Sequence, residues 1–195
     1  MTKGERTRRN IVAKAAVIFN QRGFEGASMQ DVVEAVGLEK GSIHGHFANK
    51  EALALEAFDF AWADTEQRRM ANLDLVPNAV DKLAIHISNY VKTPILAGGC
   101  PLVNTAVDTD DGNLALRERA LKAYRSWERA LVNILTDGQS RDEVRHEVRP
   151  QSVANFLICT LEGATIVSRI DKRSGALAYA QENLTRFLDT EVRAR

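Results

Sequence analysis

One segment of the 195-residue chain constrains its fold more than any other: residues 28–53, SMQDVVEAVGLEKGSIHGHFANKEAL. Ser28 with Asp31 three residues later is typical of a capping box that opens a helix. Gly37 is placed for a tight turn, a short second helix follows, and Asn49 caps a third helix. A helix-turn-helix presents its second helix to the major groove of DNA. The segment therefore predicts a DNA-binding head.

The remainder of the chain is expected to be helical as well. Apolar residues recur mostly at helical spacing, and few stretches show the alternation of strands. We therefore predict an all-α protein of about nine helices. The predicted helices include about Thr7–Arg22, Lys40–Phe47, a long element from Asn49 to Met70, Ala79–Ile95, Leu114–Asp137, Gln151–Asp171 and Gly175–Val192.

Composition excludes several classes of protein. The chain is 45% hydrophobic and 27% charged with no net charge, which is ordinary for a globular protein. No run approaches the roughly eighteen consecutive apolar residues of a membrane helix, and the basic N-terminus does not resemble a secretion signal. Cys100 and Cys159 are too few for a disulfide framework, so we expect a cytoplasmic protein.

Positive charge is concentrated at the start of the chain. The first 50 residues carry eight basic and five acidic side chains. This balance suits a DNA-contacting head, although a solvated helix face would explain it equally well. We expect Arg6, Arg8 and Arg9 to reach the DNA backbone or the minor groove.

The predicted second helix of the motif carries the side chains expected to read DNA. Lys40 is the preferred base reader, because an ammonium group can bond the guanine acceptors in the major groove. Lys50 begins the next helix, where free backbone N–H groups and its own charge favour phosphate. His46 alternatively packs beside Phe47 as a structural residue. The expected DNA-binding residues are Ser28, Met29, Lys40, Gly41, Ser42, His44, Gly45, His46 and Lys50.

The sequence lacks the residue patterns that metal binding and catalysis need. On a helix, His44 and His46 would point about 200° apart, and no cysteine or acidic residue lies at ligand spacing. The sequence contains no nucleophile–base constellation and no phosphate-binding loop. We therefore expect no metal, no cofactor and no enzymatic activity.

Residues 7–53 resemble the N-terminal DNA-binding domain of the TetR family of transcriptional regulators. The residues that carry the resemblance are Ala15-Ala16, Phe19, Arg22-Gly23-Phe24, Ser28, Asp31, Val32, Ala35, Gly37, Lys40-Gly41-Ser42, His46-Phe47 and Lys50-Glu51-Ala52-Leu53. Two positions depart from the family. His44 stands where the family usually has a tyrosine that contacts phosphate, and Gly45 weakens the recognition helix by about 1 kcal/mol relative to alanine.

The resemblance implies a helix-turn-helix domain of three helices over residues 1–50 and a helical effector-binding and dimerisation domain over residues 51–195. The last two helices would pair with a second copy and match a palindromic operator, with a purely intramolecular core as the alternative. The interface residues would be Phe156, Ala164, Val167, Leu184, Phe187 and Leu188. A small-molecule pocket would contain Tyr90, Cys100, Val103, Asn104, Tyr124, Trp127, Cys159, Glu162 and Ile166.

The implied function is a repressor that a small-molecule effector releases from DNA. Glu162 lies in an otherwise apolar helix, so we expect it to pair with Arg125 or Arg169, to make a dimer contact, or to meet a cationic ligand. A thiol-switched regulator is the alternative, because Cys100 starts a short helix whose N-terminus favours a thiolate. A small buried hydrophobic role for Cys100 also remains open.

Overall fold

The computed structural model describes residues 1–92, 96–110 and 112–195, excluding the side chain of Lys40. These residues form nine α-helices and, apart from one isolated bridge between Val144 and Arg193, no β-structure, which confirms the predicted all-α fold. The helices are α1 (Lys3–Gly26), α2 (Met29–Val36), α3 (Lys40–His44), α4 (Lys50–Arg69), α5 (Ala79–Lys92), α6 (Pro101–Asp108), α7 (Leu114–Ser140), α8 (Pro150–Ile170) and α9 (Ala176–Phe187). A 3₁₀ turn at Leu73–Leu75 follows α4, and a π-helical turn at Leu188–Val192 continues α9.

Local signals explain where the first helices begin and end. α1 starts earlier than predicted, because Thr2 and Glu5 form a capping box ahead of it. The recognition helix α3 ends at His44, which is earlier than predicted, because Gly45 follows as its C-cap and glycine is a poor helix former. The predicted end of α5 at Ile95 lies outside the described residues.

The chain divides into two compact units. The first contains Met1–Thr65 and Ile95–Ala123, and the second contains Glu66–Pro94 and Tyr124–Arg195. α4 and α7 each contribute residues to both units. The predicted DNA-binding domain at residues 1–50 and the predicted effector-binding and dimerisation domain at residues 51–195 have a different boundary, and they stay a prediction.

The core of the first unit holds the helix-turn-helix in place. Its buried apolar side chains come from α1 to α4 and include Ile11, Ala15, Ala16, Val32, Ile43, Phe47, Leu53 and Ala57. Gly23, with φ of 76°, interrupts α1 near its end. Phe24 then folds back on Phe19, with ring centroids 6.3 Å apart. Gly23 therefore ends the regular part of α1 directly after Arg22, where the predicted helix ends.

Side-chain hydrogen bonds also join α6 to α1 in the first unit. The buried Asn20 donates its Nδ2 to the carbonyls of Ala97 and Gly99, both at 2.9 Å. Asn104 Nδ2 lies 3.0 Å from the carbonyl of Asn20, 3.0 Å from its Oδ1 and 2.8 Å from the carbonyl of Gly98. The two asparagines therefore tie α6 and the segment before it to the last third of α1.

Two glycines permit this close approach. Gly23 and Gly98 have φ of 76° and 101°, in the region that favours glycine. A Cβ at Gly98 would overlap the backbone of Asn20, and one at Gly23 would overlap the carboxylate of Asp108. That carboxylate accepts the N–H of Phe24 at 2.6 Å. α1 and α6 consequently behave as one packed element of the first unit.

The second unit has an apolar core that encloses a charged pair. Its fully buried side chains come from α5, α7, α8, α9 and the π-helical turn, and include Leu83, Ile87, Trp127, Leu131, Leu135, Leu157, Leu161, Leu184 and Leu188. At the end of α4, the Arg69 guanidinium lies 3.2 Å from the Glu162 carboxylate of α8, and both residues are buried. Charges buried in this way require such pairing.

α8 is long enough and apolar enough to cross a membrane, with a mean hydropathy of 1.4. The core helix of a folded protein meets the same criterion. α8 carries Glu162 near its middle, and it packs against α9 within the second unit. Its buried side therefore belongs to that core.

His86 of α5 is fully buried, and its two partners determine its tautomer. Trp127 Nε1 can only donate, so His86 Nε2 accepts at 3.1 Å. The proton therefore resides on Nδ1, which donates to the carbonyl of Arg69 at 3.1 Å. Burial, and then the charge of Arg69, lower the pKa of His86 from 6.5 to about 4.

This lowered pKa predicts that the protein loses stability as the pH falls from 7 to 5. The unfolded chain binds a proton at His86 near pH 6.5, whereas the folded protein resists protonation until about pH 4. The free energy of unfolding should therefore fall by about 2 kcal/mol from this histidine alone. Urea titrations at the two pH values measure the change. His86→Gln should reduce this dependence of the unfolding free energy on pH. The side chain of His146 is 70% exposed, so His146→Gln should leave the dependence unchanged. An equal pH dependence in all three proteins would contradict the prediction.

Candidate DNA-binding surface and effector site

Hydrogen bonds between Ser28 and Asp31 fix the start of α2. The N–H of Asp31 donates to Ser28 Oγ at 3.1 Å, and the Asp31 carboxylate accepts the N–H and the hydroxyl of Ser28 at 2.8 and 2.7 Å. These bonds, together with the Arg22 ion pair, lower the pKa of Asp31. Gly37 closes the helix in the left-handed conformation with φ of 71°. The predicted capping box and turn are both confirmed.

α3 presents one side to the core and the other to solvent. Ile43 and, just past the helix, Phe47 are buried. Gly41, Ser42, His44 and Gly45 are exposed together, so the structure gathers four of the predicted DNA-binding residues on one surface. We call these four residues the reading surface. Lys40 begins α3, but its side chain lies outside the described part of the structure.

Met29 and His46 are only partly exposed. Met29 packs against the core of the first unit. The backbone carbonyl of His46 accepts a hydrogen bond from Arg8 Nη1 at 2.5 Å. These residues border the reading surface and contribute to the frame beneath it.

Arg8 has a structural role that its position in the sequence did not reveal. Its guanidinium pairs with Glu56, bonds the carbonyl of His46 and lies 4.2 Å from the Phe47 ring centroid. It thereby connects α1, the end of α3 and α4. Arg6 and Arg9 belong to the same helix, so these arginines are helical rather than part of an extended arm.

Lys50 is also engaged within the first unit. Its Nζ donates to the carbonyls of Phe24 and Ala27 at 2.9 and 3.3 Å and lies 4.2 Å from the Phe24 ring centroid. Asn49 caps α4 beside it, accepting the N–H of Ala52 at 2.8 Å. The lysine therefore braces the turn between α1 and α2, and its contact with phosphate stays a prediction.

Three residues predicted for the effector pocket meet in the second unit. Tyr90 and Trp127 stack with ring centroids 6.0 Å apart, and the buried Glu162 lies near them. The guanidinium of Arg69 joins the three: its Cζ is 4.2 Å from the Tyr90 centroid and 4.5 Å from the Trp127 centroid. We call these four residues the cation cluster.

The other predicted pocket residues do not belong to this cluster. Cys100, Val103 and Asn104 lie in the first unit, and Cys100 is only 2% exposed. Cys159 and Ile166 are exposed on α8. The Tyr124 hydroxyl donates to Glu128 at 2.7 Å, and burial followed by that carboxylate raises the pKa of Tyr124. Effector contacts by these six residues stay predictions.

Two models of known protein families match this chain. Residues 11–57 match the model of bacterial regulatory proteins of the tetR family, and residues 78–184 match the tetracyclin repressor-like C-terminal domain. The second match alone covers more than half of the chain. The chain belongs to the TetR family. It is therefore a helix-turn-helix transcriptional regulator.

Three individual proteins are similar to this chain over most of its length. A TetR transcriptional regulator from Chloroflexus aurantiacus is 36% identical, with a TM-score of 0.95 and full coverage of both chains. The transcriptional repressor DhaR of a Mycobacterium species is 25% identical over 85% of this chain and 83% of its own. A regulator from Saccharomonospora viridis, solved in complex with choline, shares the fold at 21% identity, with a TM-score of 0.84 and coverage of 98% and 100%.

The residues predicted for a dimer interface fall into three groups by exposure. Phe156 and Val167 are each 46% exposed on α8, and Phe156 meets Phe187 edge to face at 4.9 Å. Leu184 and Leu188 are buried in the core of the second unit, so their side chains already have intramolecular partners. Ala164 and Phe187 are partly exposed.

No metal centre is evident in the part of the chain that the structure describes. Those residues contain no group of three His, Cys, Asp or Glu side chains that could hold an ion. The residue that sequence reasoning missed is Arg69. It lies 93 positions before its partner Glu162, and no local pattern connects the two.

The reading surface predicts that Ser42→Ala and His44→Ala each weaken operator binding without unfolding the protein. Loss of one contact to a base or a phosphate costs about 1–3 kcal/mol of binding free energy, which is roughly 5- to 150-fold in affinity. Both side chains are exposed, so the midpoint of thermal unfolding should hardly change. Fluorescence anisotropy on operator DNA measures affinity. His146→Ala in the second unit is the matched control, and unchanged affinity in both variants would refute the assignment.

Proposed function

We propose that this TetR-family protein is a cytoplasmic, homodimeric repressor that leaves a palindromic operator when a small-molecule effector binds. The observation that carries the proposal is the exposed reading surface on a buried helix-turn-helix frame. Ile43 and Phe47 anchor α3 from below, so Ser42 and His44 face outward together. The relative DhaR, a named repressor, supports the direction of regulation.

Contacts with the DNA backbone would come from the edges of this surface. The N-terminus of α2, capped by Ser28, carries the partial positive charge that favours phosphate. His44 can donate to a phosphate in place of the family's tyrosine. Gly45 has φ of −69°, which any residue adopts, so the fold itself does not require glycine there. Its lack of a side chain instead leaves room for close approach to DNA.

The exposed face of α8 supports pairing with a second copy of the chain. Apolar or small residues recur along it at helical spacing: Phe156, Cys159, Gly163, Ile166, Val167 and Ile170. Ile170 is 82% exposed, and contiguous apolar surface of this kind is typical of interaction sites. Two-fold pairing would match half-sites separated by about 34–36 Å, or by a multiple of that distance.

We place the effector at the cation cluster. It combines two aromatic walls with a charged pair, which is the usual mixture in ligand sites. The choline complex of the Saccharomonospora viridis neighbour supports the idea that this fold accommodates a small organic molecule. The enzyme alternative would be revived only if the purified protein turned over a candidate ligand.

The proposed mechanism is a shift between two conformations. The bonds of Asn20 and Asn104 make α6 and α1 move together, so a change at α6 would reach the DNA-binding helices. α4, which would move when ligand binds, begins directly after the helix-turn-helix at Lys50. A nearly complete switch requires the ligand to favour one conformation by about 5.5 kcal/mol.

Footprinting on the DNA upstream of the protein's own gene tests this function. We expect two protected half-sites related by two-fold symmetry, because each subunit would present one recognition helix. Binding should weaken steeply as salt rises, since phosphate contacts release counterions. Failure to retain any upstream fragment at low salt would overturn the proposal.

A thiol switch at Cys100 is the alternative mechanism. Cys100 is 2% exposed, so an oxidant would reach it only if the start of α6 opened. Cys159 is the exposed thiol of α8. Release of DNA by oxidant in wild type but not in Cys100→Ser would favour this alternative over a small-molecule effector.

The α8 face predicts that Val167→Glu disrupts dimerisation. A charge there would be buried without a counter-ion in the dimer but would remain in water in the monomer. We expect the sedimentation coefficient to fall to that of a monomer and operator affinity to fall with it. The circular dichroism spectrum of the variant should remain that of a helical protein. Leu121→Glu, at a residue of α7 that is also 46% exposed, is the matched control. A Val167→Glu protein that sediments as a dimer would contradict the assignment.

A further inference from the structure

The cation cluster has the composition of a binding site for an organic cation. The guanidinium of Arg69 lies against the rings of Tyr90 and Trp127 and pairs with Glu162 at 3.2 Å. The side chains of Arg69 and Glu162 are only 7% and 9% exposed. Aromatic faces with a nearby carboxylate attract guanidinium and quaternary ammonium groups, and they do so more strongly when water is excluded.

Both aromatic walls are held by partners other than Arg69's side chain. Trp127 Nε1 donates to His86 at 3.1 Å. The Tyr90 hydroxyl lies 2.7 Å from Thr165 Oγ1, which itself donates to the carbonyl of Leu161 at 3.0 Å, so Tyr90 is the donor. The rings would therefore keep their orientation if the guanidinium left, and the site would remain formed.

The position of Arg69 makes its departure feasible and consequential. It is the last residue of α4, so an outward turn of its side chain would not have to pass a further turn of that helix. Its carbonyl bonds His86 at 3.1 Å and Asn89 at 3.3 Å, and Asn89 also bonds Ala71. A displacement of the side chain that also moved the Arg69 backbone would therefore alter how the end of α4 is attached to α5.

We infer that Tyr90, Trp127 and Glu162 form an organic-cation site that the guanidinium of Arg69 occupies, and that the effector is an organic monocation that displaces it. The inference rests on the proposed function, because it names the ligand class of that regulator. A cation replaces a cation, so Glu162 retains a counter-ion. A neutral ligand would leave this buried carboxylate without the charge of Arg69, which is unfavourable.

The test titrates full-length protein with ethylguanidinium, tetramethylammonium and the neutral analogue ethylurea by calorimetry. Arg69→Ala should bind both cations about tenfold or more tightly than wild type, because the internal competitor is gone. Arg69→Ala/Glu162→Gln should bind them no better than ethylurea. Arg68→Ala, at the exposed neighbouring arginine, should behave as wild type.

Two results would overturn the inference. Absence of any preference for the cations over ethylurea in Arg69→Ala would make the arginine–glutamate pair purely structural. Binding of propionate to wild type, lost in Arg69→Ala, would make the effector an anion. If Arg69→Ala does not fold unaided, folding rescued by ethylguanidinium but not by ethylurea supports the inference. The absence of such rescue opposes it.

Operator binding separates this inference from the function on which it rests. Wild type without added cation is first tested on its operator by anisotropy, and failure there rejects the proposed function itself. Operator binding that the cations release supports both proposals. Operator binding that persists, with no cation bound to wild type or to Arg69→Ala, rejects only the cation inference.

Discussion

The arrangement of the second unit depends on the contacts of the buried Arg69 guanidinium with Glu162 and with the rings of Tyr90 and Trp127. A charge that is 7% exposed must be paired and surrounded by polarisable groups, so one side chain draws together residues of four helices. Tyr90 comes from α5, Trp127 from α7 and Glu162 from α8. Removal of one partner from such a pair commonly costs about 3–5 kcal/mol, because the other charge stays buried. Apolar packing alone would not select this arrangement.

The helix-turn-helix could be predicted because its signals are local. Ser28 and Asp31 cap the same turn, and Gly37 adopts the left-handed conformation that closes α2. The fold class follows from periodicity for the same reason. α3 is shorter than predicted because Gly45, a weak helix former, ends it. At Gly45 the low helix propensity of glycine outweighs the helical pattern of the neighbouring residues.

The contacts of long side chains could not be predicted in the same way. Glu162 was expected to pair with Arg125 or Arg169, to make a dimer contact or to meet a cationic ligand, and in the structure it pairs with Arg69. Arg8 and Lys50 bond backbone carbonyls inside the first unit, which no sequence pattern indicated, and their contacts with DNA stay predictions. Backbone acceptors are present at every residue, so only the folded chain determines which ones a flexible cation reaches.

α4 provides a physical reason why ligand and DNA binding can be linked in one chain. It begins one residue after its cap Asn49, close behind the recognition helix, and ends at Arg69. An organic cation that displaces Arg69 recovers the ion-pair and ring contacts that the arginine gives up, so little buried charge is lost in the exchange. For a full switch, the ligand must bind one conformation more tightly than the other by about 5.5 kcal/mol. This difference must then come from contacts that change when the end of α4 moves. The hydrogen bonds from His86 and Asn89 to the Arg69 carbonyl are the groups placed to make that distinction.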